Sequence, residues 1–215
     1  MAASGGHAEG PTGAAPDGTP DRPTDPFPHV TIGLLGVVTI AAYGTWYYAF
    51  GVLLDPILAD TGWSEGWVAG TYALATTVGA LLALPAGRIV DRVGGRPVFA
   101  IAAALAVGGL VTASYARALP VFVAGALTGA AALQAFCFYH VTQTTAVRAA
   151  PDRPNSAIAV LTIYGAFASM IYLPLAALLV ETTGWRTTLR ILVLGTAVVL
   201  LAAAVGVRRA RLHRR

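Results

Sequence analysis

Lysine is absent from the 215-residue chain, and charged residues of all kinds make up only 11% of it. A soluble domain usually carries about a quarter charged residues. The mean hydropathy is +0.68. This shortage of charge excludes an ordinary soluble domain, and it predicts that lipid, rather than water, surrounds most of the folded chain.

Cysteine is almost as scarce, since Cys137 is the only one and no intrachain disulfide can form. The sequence also lacks a positioned Ser/His/Asp set, paired carboxylates within its apolar segments, a cluster of metal ligands and a phosphate-cradling loop. These are the residue patterns that enzymes need for hydrolysis, metal catalysis or phosphoryl transfer. We therefore expect neither an enzyme nor a bound cofactor or metal.

The two ends of the chain differ from the rest in composition. Residues 1–29 are rich in Gly, Pro, Asp and Thr, with too few apolar residues to pack, which predicts a disordered tail. No basic segment precedes a short apolar run there, so a removable signal peptide is not expected. Residues 208–215 contain five arginines. They predict a basic tail that binds anionic lipid, and we expect no nucleic-acid partner.

Six apolar segments are long enough to cross a bilayer as helices, which takes about 20 residues. They are residues 30–54, 67–87, 97–116, 119–146, 156–180 and 187–207. The first five contain no Asp, Glu, Lys or Arg, and the sixth contains only Arg190. The alternating pattern of a membrane barrel strand is missing. The sequence therefore predicts an all-α integral membrane bundle of six helices, spanning residues 30–207.

The arginines predict how this bundle is oriented. If both termini face the cytoplasm, eleven of the fourteen arginines lie on the cytoplasmic side. Arginine-rich loops stay in the cytoplasm, so we expect both termini there. The absence of lysine, with abundant Ala and Gly, is typical of a GC-rich bacterial genome, which predicts the plasma membrane of a bacterium.

A short motif lies between the second and third predicted spans. It reads Gly87-Arg-Ile-Val-Asp91-Arg92-Val-Gly94-Gly95-Arg96. This resembles the signature of the major facilitator superfamily at the same loop, although Gly95 stands where a base is common. The resemblance implies one half of a twelve-helix transporter. It also implies that Asp91, Arg92 and Arg96 act in gating, with Gly87 and Gly94 supporting them. An ordinary positive loop with a tight turn is the alternative.

Two further stretches are similar to the monocarboxylate and oxalate/formate branch of that family. They are residues 50–56 with 61–64, and residues 174–181 with 183–186. The chain departs from many proton-coupled members in the fourth span, where Gly125 occupies the position of a common arginine. The coupling ion, the direction of transport and the substrate therefore stay open.

Polar and aromatic side chains inside the spans are the candidates for a substrate path, because transporter sites lie near the bilayer midplane. These candidates are Tyr43, Trp46, Tyr47, Gln134, His140 and Tyr164. His140 could change charge near neutral pH, which makes it a candidate proton-linked group. Packing within the bundle or an aromatic belt at the interface is the alternative for each of them.

Two functions follow as hypotheses. The first is a secondary transporter for a small organic solute, with monocarboxylates and other organic anions as candidates, working by alternating access. Family members usually have two six-helix bundles. The partner would then be a separately encoded second half or a second copy of the chain. The second hypothesis is a truncated or half-size membrane protein that does not transport and serves as a remnant, scaffold or assembly partner.

Overall fold

The structure, a computed structural model, describes residues 28–206. The predicted basic tail 208–215, and all but the last two residues of the predicted tail 1–29, lie outside the described residues. The part described consists of helices joined by short connections, without a strand. Its elements are α1 (His29–Ala42), a π-helical turn (Tyr43–Tyr48), α2 (Ala49–Thr61), α3 (Glu65–Val93), α4 (Gly95–Tyr115), α5 (Leu119–Cys137), α6 (Tyr139–Ala149) and α7 (Pro154–Gly206).

Five helical segments of residues 28–206 are long and apolar enough to cross a membrane. They are His29–Thr61, Glu65–Val93, Gly95–Tyr115, Leu119–Ala149 and Pro154–Gly206. The predicted count of six is therefore not confirmed. The difference lies in the 53-residue α7, which contains both the fifth and the sixth predicted spans.

The backbone of α7 leaves helical geometry at Gly184, where φ is 75° and ψ is 162°. Only glycine adopts such a conformation readily. Before Gly184, later residues of α7 contact later residues of the first segment: Tyr164 packs against Gly36, and Tyr172 packs against Gly44. After Gly184, later residues of α7 contact earlier residues of the first segment: Thr196 is hydrogen-bonded to Thr45, and Gly206 packs against Leu34. The chain therefore reverses direction at Gly184, and its described ends lie at the same end of the bundle.

The helices α4 and α5 approach each other until their backbones touch. A Cβ on Gly109 would overlap the backbone nitrogen of Gly129, and one on Gly125 would lie 2.6 Å from the backbone nitrogen of Ala113. Small residues permit this approach in lipid, where van der Waals packing takes the place of a hydrophobic drive for association. These glycines therefore fix the distance between α4 and α5.

The connections between the helices are shorter than the sequence predicts, because the helices extend beyond the predicted spans. The second span, predicted to end at residue 87, continues as α3 to Val93, and Gly94 with a φ of 83° makes the turn into α4. The first span continues past residue 54 to Thr61. Helices extend beyond the apolar segments because the charged residues at their ends reach water without unwinding the backbone.

Candidate functional site

The first membrane segment is irregular in its middle, where residues 43–48 form a π-helical turn between α1 and α2. A π-helical turn inserts an extra residue into a helix, and such turns occur frequently at functional sites. Its sequence is Tyr-Gly-Thr-Trp-Tyr-Tyr, so it carries four of the chain's aromatic residues. The irregular backbone therefore places several rings close together at this level of the bundle.

The fourth segment is broken at the residue that faces this turn. Phe138 separates α5 from α6 with an extended backbone, φ −79° and ψ 177°. Its ring stacks on Tyr43 at a centroid distance of 3.8 Å. The Tyr43 ring also contacts the ring of Tyr139, the first residue of α6, at a centroid distance of 5.2 Å. Discontinuous spans of this kind line substrate sites in transporters.

The rings around these two irregular segments form one aromatic cluster. Its members are Tyr43, Trp46, Tyr47, Tyr48, Phe50, Tyr72, Phe138 and Tyr139. Tyr72 of α3 joins it by stacking on Phe50 at 4.5 Å, and its hydroxyl donates to the Tyr47 carbonyl. Tyr47 is 41% exposed, so the cluster has an open side.

Trp46 is the most buried member of the aromatic cluster and is only 3% exposed. Its ring lies 5.1 Å from Phe50 and 6.4 Å from Tyr72. Its Nε1 is buried without a hydrogen-bond partner in the described chain. Buried N–H groups are nearly always paired, so this group calls for a specific explanation.

The structure brings together three of the six predicted path residues, Tyr43, Trp46 and Tyr47. His140 directly follows the cluster and is exposed, and its Nε2 lies 2.7 Å from the Ala135 carbonyl across the break. The other two, Gln134 and Tyr164, contact different helices. Gln134 donates to the carbonyl of Thr76 in α3, while Tyr164 packs against Gly36 of α1. Each of the two therefore contacts a neighbouring helix, and their place in a substrate path stays a prediction.

The Asp91–Arg96 motif forms contacts at one end of the bundle, here called the motif end. Asp91, on the last turns of α3, pairs with Arg148 in the last turn of α6. Arg96 donates to the carbonyl of Val205 near the end of α7, at 2.7 Å. Arg92 is exposed. Gly87 has open space beside its Cα, so no other helix of the described chain packs there.

The opposite end, here called the tryptophan end, is held by a second network. Trp63 and Trp185 both pack on the buried ring of Phe122, at centroid distances of 5.3 and 6.3 Å. Asp60 accepts hydrogen bonds from Trp185 and from Arg186, at 3.0 and 3.1 Å. An open groove of about 570 Å³ lies beside them. These contacts join the end of α2 and the start of α5 to the reversal in α7.

Arg186 is the central residue of this second network. Its Nη1 donates at 2.8 Å to the carbonyls of Ser114 and Ala116, at the C-terminus of α4. A cation at a helix C-terminus satisfies the last carbonyls and interacts favourably with the helix dipole. Arg186 therefore stabilises the tryptophan end of the bundle, and its positive charge is balanced by the Asp60 carboxylate and the carbonyls at the end of α4.

Sequence reasoning missed several residues of these sites. The sequence predicts Arg148 to be one of the arginines of a cytoplasmic loop, and nothing in its local sequence indicates that it pairs with Asp91. Phe138 and Tyr139 lie in the run Phe-Cys-Phe-Tyr-His, which has no Gly or Pro to announce a break. Tyr72 could have been found, since it is the one tyrosine in α3. Among residues 28–206 no group of His, Cys, Asp and Glu could hold a metal ion.

Comparison with known proteins identifies the family of the chain. A search of the curated proteins gave no match. The sequence model of the Major Facilitator Superfamily matches residues 34–215, which is most of the chain and includes every candidate residue above. The chain is therefore a membrane protein that belongs to the major facilitator superfamily, a family of transporters.

Proposed function

We propose that the chain is one six-helix half of a secondary transporter that moves a small organic solute by alternating access. The match to the family model over residues 34–215 carries this proposal. Solute sites of such proteins lie near the midplane, where irregular helices meet. The aromatic cluster has this character, because a π-helical turn and a broken helix meet there.

A bundle of six crossings follows if α7 crosses the membrane twice. A helix of 53 residues would be about 80 Å long, against a hydrocarbon core of about 30 Å. The reversal at Gly184 gives two arms that each suit one crossing. Residues 28 and 206 then lie on one side, which an even number of crossings requires.

The motif end is the cytoplasmic end in this proposal. Arg88, Arg92, Arg96, Arg148 and Arg153 all lie near it, and such a concentration of arginine favours the cytoplasm. Both termini are then cytoplasmic, and the membrane is the plasma membrane of a bacterium. The pair of Asp91 with Arg148 and the bond from Arg96 to Val205 would hold this end in one of its conformations.

The solute proposed from the sequence is a monocarboxylate or another small organic anion, by similarity to the monocarboxylate and oxalate/formate branch. His140 remains a candidate proton-linked group, because it is exposed beside the helix break. If His140→Ala leaves the pH dependence of transport unchanged, that role is lost.

Alternating access requires a second bundle that faces this one. The helix α3 and the first arm of α7 both carry large exposed apolar side chains, including Leu81, Leu84, Met170 and Leu178. Lipid covers such a face in isolation, and a second bundle would cover part of it in a complete transporter. The partner would be a separately encoded half or a second copy of this chain.

The proposal is tested by measuring solute flux in proteoliposomes that contain the purified full chain, alone and with any co-purifying partner. We expect saturable uptake of radiolabelled monocarboxylates, driven by their own gradient or by a pH gradient. Mass measurement of the detergent-solubilised complex separates a monomer, a homodimer and a hetero-pair. Normal membrane insertion without saturable flux under any gradient would favour the non-transporting scaffold or remnant instead.

A further inference from the structure

The aromatic cluster offers ring surfaces with no charged side chain among its members. The predicted spans that supply these rings contain no Asp, Glu, Lys or Arg. Tyr47 is 41% exposed, and Tyr48, Tyr72 and Tyr139 are half-buried. Aromatic rings attract other planar rings in offset or edge-to-face arrangements. The open side of the cluster is therefore suited to stacking on a planar group.

The unpaired indole of Trp46 adds a requirement for hydrogen bonding. An indole N–H can only donate. A buried N–H without a partner costs free energy. A ligand that contacts the Trp46 N–H must therefore offer it a hydrogen-bond acceptor. A carboxylate, carbonyl or hydroxyl oxygen meets this requirement. The donor and the ring surfaces lie within one cluster, since Tyr72 contacts the rings of both Trp46 and Tyr47.

We propose that the aromatic cluster binds a planar, ring-bearing solute, and that the Trp46 indole donates a hydrogen bond to an acceptor oxygen of that solute. This rests on the proposed function and adds the substrate class. An organic cation is the other ligand that aromatic rings attract. A simple tetraalkylammonium ion has no lone pair to accept from the Trp46 N–H, so the unpaired donor favours a ring that carries an acceptor oxygen.

The test measures binding of radiolabelled benzoate to the full chain in phosphatidylcholine nanodiscs by a scintillation proximity assay. Cyclohexanecarboxylate serves as the matched competitor, because it keeps the carboxylate and loses the planar ring. Tetramethylammonium tests the cation alternative. We expect saturable benzoate binding, at least about tenfold weaker competition by cyclohexanecarboxylate, and no competition by tetramethylammonium.

Two variants locate the site. Trp46→Phe keeps a ring and removes the N–H, so benzoate affinity should fall about tenfold. Tyr47→Leu removes an open ring and should abolish the preference for benzoate over cyclohexanecarboxylate, which keeps the test valid if Trp46→Phe folds poorly. Trp63→Phe is the matched control, because Trp63 packs on Phe122 at the tryptophan end, and its benzoate affinity should be unchanged.

The proposal is overturned if benzoate does not bind, if the two carboxylates compete equally, or if tetramethylammonium displaces benzoate. Unchanged benzoate affinity in a folded Trp46→Phe variant would overturn it as well, and so would an unchanged preference for benzoate over cyclohexanecarboxylate in Tyr47→Leu. Binding is measured without flux, so the two proposals fail separately. Benzoate binding without transport supports the ligand class and removes the transport function, whereas flux of solutes lacking rings without benzoate binding removes only the ligand class.

Discussion

Replacing Gly109 by valine should prevent the bundle from packing correctly, whereas the same change at the neighbouring Gly108 should be tolerated. A Cβ on Gly109 would overlap the backbone of α5, which cannot move aside as a flexible side chain can. Gly108 has open space around its Cα. Overpacking of this kind costs about 3 kcal/mol, and here it would push two backbones apart. Both variants carry the same β-branched residue, so helix propensity is matched.

The single cysteine of the chain provides the measurement. Cys137 is fully buried, so a fluorogenic maleimide should label it only when the protein unfolds. We expect the apparent Tm in detergent to fall by roughly 10 °C in Gly109→Val and to stay near that of the unchanged chain in Gly108→Val. Equal melting of the two variants would show that the contact between α4 and α5 does not control stability.

Removing the carboxylate of Asp91 should impair transport and leave membrane insertion intact. Asp91→Asn breaks the pair with Arg148 at the motif end, which joins α3 to α6. Both side chains are partly exposed, so the pair is worth about 1 kcal/mol. If this pair stabilises one of the alternating conformations, its loss shifts that equilibrium about fivefold. The initial uptake rate should therefore fall several-fold, while the amount of protein in the membrane is unchanged.

A charge reversal makes this expectation specific. The double variant Asp91→Arg with Arg148→Asp restores an ion pair with exchanged partners and should recover most of the lost rate. Asp152→Asn is the control, because it removes an exposed carboxylate at the same end that forms no ion pair among residues 28–206. The measurement is proteoliposome uptake of the solute that gives saturable flux. An unchanged rate in Asp91→Asn would remove the gating role of the motif.

Much of the architecture could be predicted from composition and spacing. Long segments without charge can only be helices in lipid, because every backbone polar group must be satisfied within the segment. The pattern from Gly87 to Arg96 led to the family, and the family match confirms it. The tight turn at Gly94 was also visible, since glycine tolerates the positive φ that ends α3.

The irregular backbone could not be predicted. Neither the π-helical turn nor the break at Phe138 contains a proline. One inserted residue also changes the hydrophobic periodicity of a long apolar span too little to be recognised in the sequence. Both arise from tertiary packing, because the Tyr43 ring stacks on Phe138 and contacts the ring of Tyr139 at the start of α6. Partners distant in sequence, such as Arg148 for Asp91, depend on the same packing. For Gln134 and Tyr164 the place in the path stays a prediction, because a polar side chain in a span fits a lumen and a helix contact equally well.

The central claim, a family half-bundle in which α7 crosses the membrane twice, is tested most directly by sidedness of labelling. In a Cys137→Ser background, single cysteines are introduced at Asp152 and at Thr183, and in a third variant one cysteine is appended after Arg215. Cells are then treated with a membrane-impermeant maleimide before and after permeabilisation. We expect labelling of the Thr183→Cys variant in intact cells, and of the other two variants only after permeabilisation. Labelling of the appended cysteine in intact cells would mean that α7 crosses once, and it would contradict the account.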